Sequence, residues 1–307
     1  MRARLAVMDD LEWLAGSFAE HRARLQAIAY RMLGSLADAE DALQDAWLRA
    51  SASNTRRAEI ETPAAWLTTL VARVCLNQLR TRRTRPEEPW EFHLPDAVVR
   101  ADSETVTPED AALLSDRVGL ALQIVLDELE PDERVAFVLH DLFAVPFADI
   151  AAVLDRSDAS ARQLASRARR RVSEVGAHTP DQSIPRQRAV VDAFYAAARN
   201  GDLDALVAVL HPDVVARADF AGRRLPTPAL LRGAATIAEN ARRGFMPDAV
   251  LQPVLINGAA GMLVIKNGRP FALMAFSVVD DRIAALDVYG DHARIRELAA
   301  PALRTSA

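Results

Sequence analysis

Residues 146–172 read PFADIAAVLDRSDASARQLASRARRRV, and this stretch decides what kind of molecule the chain makes. Ile150, Ala151 and Leu154 recur at helical spacing and form the buried face of a short first helix, with small Ala151 allowing a second helix to cross closely. Asp155-Arg156-Ser157 reads as a tight turn, and Ser157 or Asp158 can cap the helix that follows. Aspartate stands at Asp155 where a glycine is usual, but it tolerates the left-handed conformation better than most residues. In the second helix Ala161, Leu164, Ala165, Ala168 and Val172 face inward. That leaves Ser160, Arg162, Gln163, Ser166, Arg167 and Arg170 outside. Arginine and glutamine each bond a base edge bidentately, and further arginines hold phosphates, so the segment reads as a DNA-binding helix-turn-helix. The plainer reading is a solvated amphipathic helix. A solvated face usually mixes signs, whereas no acid interrupts these arginines until Glu174.

Working toward the N-terminus, Leu129-Glu130-Pro131-Asp132-Glu133-Arg134 opens the helical block that carries this motif. Before it, from Pro86 to Asp110, lie eight acids, one arginine (Arg100) and four prolines (Pro86, Pro89, Pro95, Pro108), the composition of an extended acidic linker. Its charge fits a nucleic-acid mimic that threads a basic channel as well as it fits a soluble spacer. Earlier still the chain is helical. Phe18, Leu25, Ile28, Ala29, Met32 and Leu33 mark one helix. A second, opened by Asp38, has Leu43, Ala46, Trp47 and Ala50 on one side and an acidic face of Asp38, Asp41, Gln44 and Asp45 on the other. A third begins at Thr62-Pro63 and runs through Leu67, Leu70, Val71, Val74 and Leu79. It carries Arg73, Asn77, Arg80, Arg82 and Arg83 off its apolar side, with Arg56 and Arg57 in the loop before it. This is a second basic surface suited to nucleic acid, and Trp66 is either core or a stacking platform.

Beyond the helix-turn-helix the pattern changes character. Two short helices, Val190–Ala198 and Leu203–Leu210, precede strand-like runs at Val214–Ala218, Met262–Lys266, Phe271–Val279 and Ile283–Tyr289. Asn267-Gly268 and Asp280-Asp281 supply the turns. This segment reads as α+β. Such folds enclose an apolar cavity, and Asp219, Arg223, Asp287 and Tyr289 are candidate pocket residues for an unknown small-molecule ligand.

Bulk properties set the limits. The 307 residues allow two or three domains. The formal net charge of −5 excludes a uniformly basic nucleic-acid binder, so locality of charge matters more than its sum. Lys266 is the only lysine, leaving 36 of the 37 basic residues as arginine (37 − 1). No apolar run is long enough to span a membrane, and acids at Asp9, Asp10 and Glu12 interrupt any signal-peptide core. The single cysteine, Cys75, excludes an internal disulfide, and the scattered histidines offer no metal-ligand spacing. The expectation is a cytoplasmic protein that is not an enzyme and uses neither metal nor cofactor.

Taken in order, these segments resemble the extracytoplasmic-function sigma factors. The run from Asp38 through Trp47 to Arg49 looks like the helix with which such factors grip RNA polymerase. Trp66–Arg73 continuing to Arg83 is similar to their promoter −10 helix, and Leu129–Arg134 with the helix-turn-helix is similar to their −35 module. Arg162–Arg169, Trp90 and Leu94-Pro95 resemble the subgroup that ends in a SnoaL-like, NTF2-type domain. The subgroup's glycine-rich motif stands here only as Asp219-Phe220-Ala221-Gly222-Arg223.

The resemblance implies two all-α sigma modules followed by an α+β cone. The implied boundaries are region 2 at 1–88, the acidic linker at 89–112, region 4 at 113–176, a linker at 177–186 and the SnoaL-like domain at 187–307. It implies core RNA polymerase as partner, through Asp38, Asp41, Gln44, Asp45 and Leu48. Single-stranded −10 DNA would meet Arg56, Arg57, Trp66, Arg73, Asn77, Arg80, Arg82 and Arg83. Duplex −35 DNA would meet Ser160, Arg162, Gln163, Ser166, Arg167 and Arg170. The C-terminal domain would modulate activity in cis. A helix-turn-helix repressor with an effector-binding cone is the alternative, but it leaves the first helical domain and its acidic face without a use. An isomerase or cyclase fused to a helical domain would leave both basic helices unexplained.

Overall fold

The computed structural model describes residues 2–53, 60–84, 94–102, 120–174, 183–220 and 230–304. They fall into two compact units. The first contains residues 1–87, 106–116 and 125–176, the second residues 88–105, 117–124 and 177–307.

The first unit is helical. Helices α1 (Arg2–Leu33), α2 (Leu36–Ala52) and α3 (Pro63–Thr84) pack through Leu25, Ile28, Met32, Leu43, Leu67 and Val71, each no more than 1% exposed. Burial of each such side chain contributes about 1.5–3 kcal/mol. Helix α2 starts two residues before Asp38, because the Ser35 hydroxyl accepts the amide of Asp38 at 3.3 Å and so caps it. Helix α4 (Leu120–Asp127) crosses from the second unit's residues into the first's. Helix α5 (Pro131–Phe137) follows and runs into a π-helical turn at Val138–Leu142. The helix-turn-helix then consists of α6 (Phe147–Leu154) and α7 (Asp158–Glu174). Asp155 takes the left-handed conformation expected of it (φ 54°, ψ 53°), and the Ser157 hydroxyl accepts the amide of Ser160 at 3.3 Å. Ala161, Ala165 and Ala168 are fully buried, which fixes the face that α7 turns inward.

The second unit is α+β. Helices α8 (Ile184–Asn200) and α9 (Leu203–Val209) precede a seven-stranded sheet of order β1-β4-β5-β6-β7-β2-β3. Its strands are β1 (Val99–Ala101), β2 (Leu210–Asp219), β3 (Leu230–Arg232), β4 (Val250–Ile256), β5 (Ala259–Lys266), β6 (Arg269–Val279) and β7 (Arg282–Tyr289). All neighbours are antiparallel except β2 and β7. Two further helices complete the unit, α10 (Ala234–Gly244) and α11 (His292–Arg304). The hairpins at Asn267-Gly268 and Asp280-Asp281 have positive φ at both central residues, and Asn257-Gly258 makes a third such turn.

One segment departs from its sequence reading. Within the proline-broken acidic stretch, residues 94–102 are not a solvated spacer. Val99, Arg100 and Ala101 pair antiparallel with Ile256, Leu255 and Val254, and Leu94, Ala97 and Val99 are buried in the second unit's core. Apolar residues at alternate positions seat this piece on the sheet despite the acids around it.

Candidate nucleic-acid interface and the anchored linker

Helix α7 projects its polar residues outward as the periodicity requires: Ser166, Arg162, Gln163, Arg167 and Arg170 are exposed and Ser160 half-buried. Neighbours within the same module orient several of them. The Arg162 guanidinium lies over the Phe147 ring, 4.7 Å from its centre. Arg167 donates to Glu133 at 2.9 Å, and Arg171 pairs with the same carboxylate at 3.1 Å. Glu133 is 4% exposed, so this carboxylate, nearly out of water, orients two arginines of α7. Arg169 pairs with Asp141 at 2.9 Å.

The basic residues of α3 are placed differently. Arg80 donates twice to Asp132 (3.1 and 2.7 Å), Arg83 pairs with Glu130, and Arg73 donates to the Ala152 carbonyl at 2.7 Å. All three partners belong to the segment that carries the helix-turn-helix. Arg82 pairs instead with Asp38 of α2 at 2.6 Å. Asn77 is exposed, and Trp66 is half-buried, between the two roles its sequence allowed. Arg56 and Arg57 lie outside the described residues.

On α2, Asp41, Gln44, Asp45 and Leu48 form an exposed face on which Leu48 is 63% exposed. Asp38 at the edge of this face is tied to Arg82. Behind it Cys75 is fully buried, and desolvation pushes its thiol up to about 12, which keeps it protonated and unreactive at neutral pH.

The two helical modules of the first unit are also joined by a buried cation that the sequence did not single out for this role. Arg134, 4% exposed, donates to the Arg31 carbonyl of α1 (3.4 and 3.2 Å) and pairs with Asp127. Desolvation lowers the pKa of Arg134 below the usual arginine value, and Asp127 opposes that shift.

In the second unit the candidate pocket residues require a correction. A cavity of about 380 Å³ is lined by Ala216, Ala218, Leu286 and Val288 of β2 and β7. Side chains alternate across a sheet, so Asp219, Asp287 and Tyr289 point to the opposite face. There they hold other elements of the protein. Tyr289 donates to the Pro95 carbonyl at 2.7 Å, and Asp219 accepts the Leu94 amide at 3.0 Å. Arg294 of α11 bridges the cluster, pairing with Asp219 at 2.6 Å and Asp96 at 2.9 Å and donating to the Leu94 carbonyl. Asn257 completes the clasp, its side-chain oxygen accepting the Val98 amide at 2.8 Å and its own amide donating to the Val98 carbonyl at 2.9 Å. Asp287 is fully buried and pairs with Arg217 at 2.8 Å. Burial pushes its carboxyl up and the guanidinium pulls it back. Arg223, Gly222, Ala221 and Trp90 lie outside the described residues. The clasp residues Arg294 and Asn257 carry no local sequence signal, because their partners are 75 to 200 positions away. Among the described residues no group of acids, histidines or cysteine is arranged to hold a metal ion, and no helix is long and apolar enough to cross a membrane.

A basic helix-turn-helix behind a second arginine-bearing helix, with an acid-faced helix before it, defines a sigma-type transcription initiation factor. Comparison with known proteins makes this specific. Residues 18–85 match the family model for Sigma-70 region 2 and residues 120–172 that for Sigma-70, region 4. The chain is 39% identical to "ECF RNA polymerase sigma factor SigJ" of Mycobacterium tuberculosis (strain ATCC 25618 / H37Rv), over 86% of this chain and 88% of the relative. It is 34% identical to "Probable ECF RNA polymerase sigma factor SigI" of the same strain, over 92% and 94% of the two chains. The crystal structure of M. tuberculosis SigJ superimposes with a TM-score of 0.71 at 34% identity, covering 94% of this chain and 99% of that one. The protein belongs to the extracytoplasmic-function family of RNA polymerase sigma factors. The repressor alternative falls with the region 2 match, since a repressor has no use for that module.

Proposed function

We propose that this sigma factor binds core RNA polymerase through Asp41, Gln44, Asp45 and Leu48 and opens promoters read by α3 at −10 and α7 at −35. In this reading its C-terminal domain restrains it in cis. The protein acts in the cytoplasm, where polymerase and promoters are, and the restraint is non-covalent: no residue is assigned a catalytic role. The observation that carries the regulatory part is that Val99–Ala101, within the linker between the two DNA-binding modules, serves as a strand of the C-terminal domain's sheet. A linker anchored in this way cannot follow the modules when they separate to meet two promoter elements.

The test keeps the chain whole. Cutting it after Gly176 would strip partners from Leu94, Val99, Leu120 and Ile124, which sit in the second unit's core, so point substitutions are cleaner. Run-off transcription with purified core polymerase and a library of −35 and −10 elements should show initiation that depends on this protein. Arg294→Ala, which removes three of the clasp's interactions, should raise initiation several-fold. Equal or lower initiation by this variant would refute restraint by the C-terminal domain. Charge reversal of Asp41 and Asp45 should abolish holoenzyme assembly.

A further inference from the structure

The arginines of α7 have two kinds of partner, and the difference bears on which of them can read a base. Arg167, Arg169 and Arg171 each give N–H groups to a carboxylate. Arg162 is exposed, and among the described residues it makes no ion pair; its guanidinium lies over the Phe147 ring, 4.7 Å from the centre. A carboxylate occupies donors that a base edge would need. A ring face restrains the guanidinium by its charge and leaves the N–H fork that meets guanine N7 and O6 uncommitted to any acceptor.

The ring is itself held in place. Phe147 is half-buried at the first position of α6, and the His140 ring stacks on it with centroids 3.8 Å apart and planes inclined by 29°. An imidazole this close covers one face of the phenyl ring, so the guanidinium takes the other. His140 is fixed in turn. Its Nδ1 lies 3.1 Å from the Val145 carbonyl, which can only accept, so Nδ1 carries the hydrogen and donates. The backbone here is unusual. His140 sits in the π-helical turn Val138–Leu142, and Ala144 takes a left-handed φ of 53°, a conformation that residues with a Cβ avoid. The Ala144 amide donates to the His140 carbonyl at 3.0 Å and the Val145 amide to the Leu139 carbonyl at 2.8 Å, which turns the chain back on itself. Strained turns collect at functional positions, and this one delivers an imidazole onto the ring that carries Arg162.

We infer that His140 and Phe147 are positioning residues for Arg162: a stack of imidazole, phenyl ring and guanidinium aims this arginine at a base edge and sets the preference at one base pair of the −35 duplex. The inference rests on the reading of α7 as the −35 helix.

The preference is measured with the full chain bound to core RNA polymerase. The parent complex selects its −35 duplex from a randomised library, and Kd is then compared for that duplex and its single-base-pair variants. Arg162→Ala identifies the base pair whose preference depends on Arg162. At that pair Phe147→Leu, which keeps apolar bulk without a ring face, should lower the preference about two- to fivefold, the contribution of an exposed contact between a cation and a ring. His140→Ala should lower it too, whereas Phe147→Tyr and His140→Phe, which keep flat rings, should retain the parent preference. In the Arg162→Ala background Phe147→Leu should change nothing further, because a positioning residue acts only through the group it positions. Each preference is a ratio taken on one preparation, so partial unfolding lowers both affinities and leaves the ratio standing. An Arg162→Ala complex that keeps every preference would overturn the reading of α7 and the stack with it. Preference lost with Arg162→Ala but kept with Phe147→Leu, or lowered further by Phe147→Leu once Arg162 is gone, would overturn the stack alone. A His140→Phe complex as impaired as His140→Ala would overturn the part assigned to His140.

Discussion

Helices α3 and α7 are equally basic to the eye, yet their arginines are held in opposite ways. Those of α7 are braced by their own module: Arg167 and Arg171 by Glu133, Arg169 by Asp141, Arg162 by the Phe147 ring. Three of the four on α3 reach out of theirs, Arg73 to Ala152, Arg80 to Asp132 and Arg83 to Glu130, while Arg82 stays with Asp38 of α2. On the proposed function, a brace inside one module survives when the modules part and leaves α7 ready for DNA. A pair between modules must break first. In that reading the same composition encodes a preorganised surface in one helix and a releasable lock in the other. Salt distinguishes the two, because exposed pairs are screened, whereas a brace built on a buried carboxylate is screened less.

The largest effect in this comparison belongs to the buried inter-module link at Arg134. Arg134→Ala removes the donors to the Arg31 carbonyl and leaves Asp127 without its partner. Asp127 is itself exposed, so the cost comes from losing the buried guanidinium's hydrogen bonds, about 1.5–3 kcal/mol for bonds to a charged group. The variant should unfold at clearly lower urea, and Arg134→Lys, a point charge without the planar fork, should recover only part of the loss. A variant as stable as the parent would mean that Arg134 does not hold the modules together.

Next in size is a test of the α7 surface. Arg162→Ala should weaken binding to the duplex −35 element by about 1–3 kcal/mol and relax preference at one base pair, the signature of a bidentate base contact. A smaller loss, equal for every sequence, would demote Arg162 to a phosphate contact. Glu133→Gln sharpens the point. It leaves α7 intact but slackens Arg167 and Arg171, so it should lower affinity with little change in stability if bracing is the purpose of this buried acid.

How far these surfaces were legible beforehand follows the same division between local and distant. The helix-turn-helix can be read because its signals lie within 27 consecutive residues: an apolar period, a left-handed aspartate and a serine cap. The two sheet turns at Asn267-Gly268 and Asp280-Asp281 are legible for the same reason. Strand β4 was missed because Pro253 interrupts it, and proline is normally shut out of a paired strand. It is tolerated here because the edge strand β1 ends opposite Val254, so nothing asks Pro253 for an amide on that side. Helix α11 carries Pro301 and was missed in the same way. Chemical type alone singles out Asp219, Asp287 and Tyr289 as pocket residues, but strand alternation turns them to the face away from the cavity. The linker strand was hidden most deeply. Its composition describes a solvated spacer, and only β4 and Arg294, far along the chain, turn it into a sheet edge.

The smallest effect is also the most discriminating. Asp132 is the partner of Arg80 and lies 3.5 Å from Arg156, so Asp132→Asn weakens a single exposed cluster between the modules. Such pairs contribute about 0.2–1 kcal/mol, and stability should scarcely move. The freed arginine should nevertheless raise affinity for single-stranded −10 DNA measurably at low salt. The advantage should vanish as salt approaches the level that already screens the pair in the parent protein. The matching substitution within one module, Asp141→Asn beside Arg169, should raise no affinity for single strands at any salt. Were both substitutions to behave alike, the contrast between a lock and a brace would fail, and pairing across modules would be no different from pairing within one.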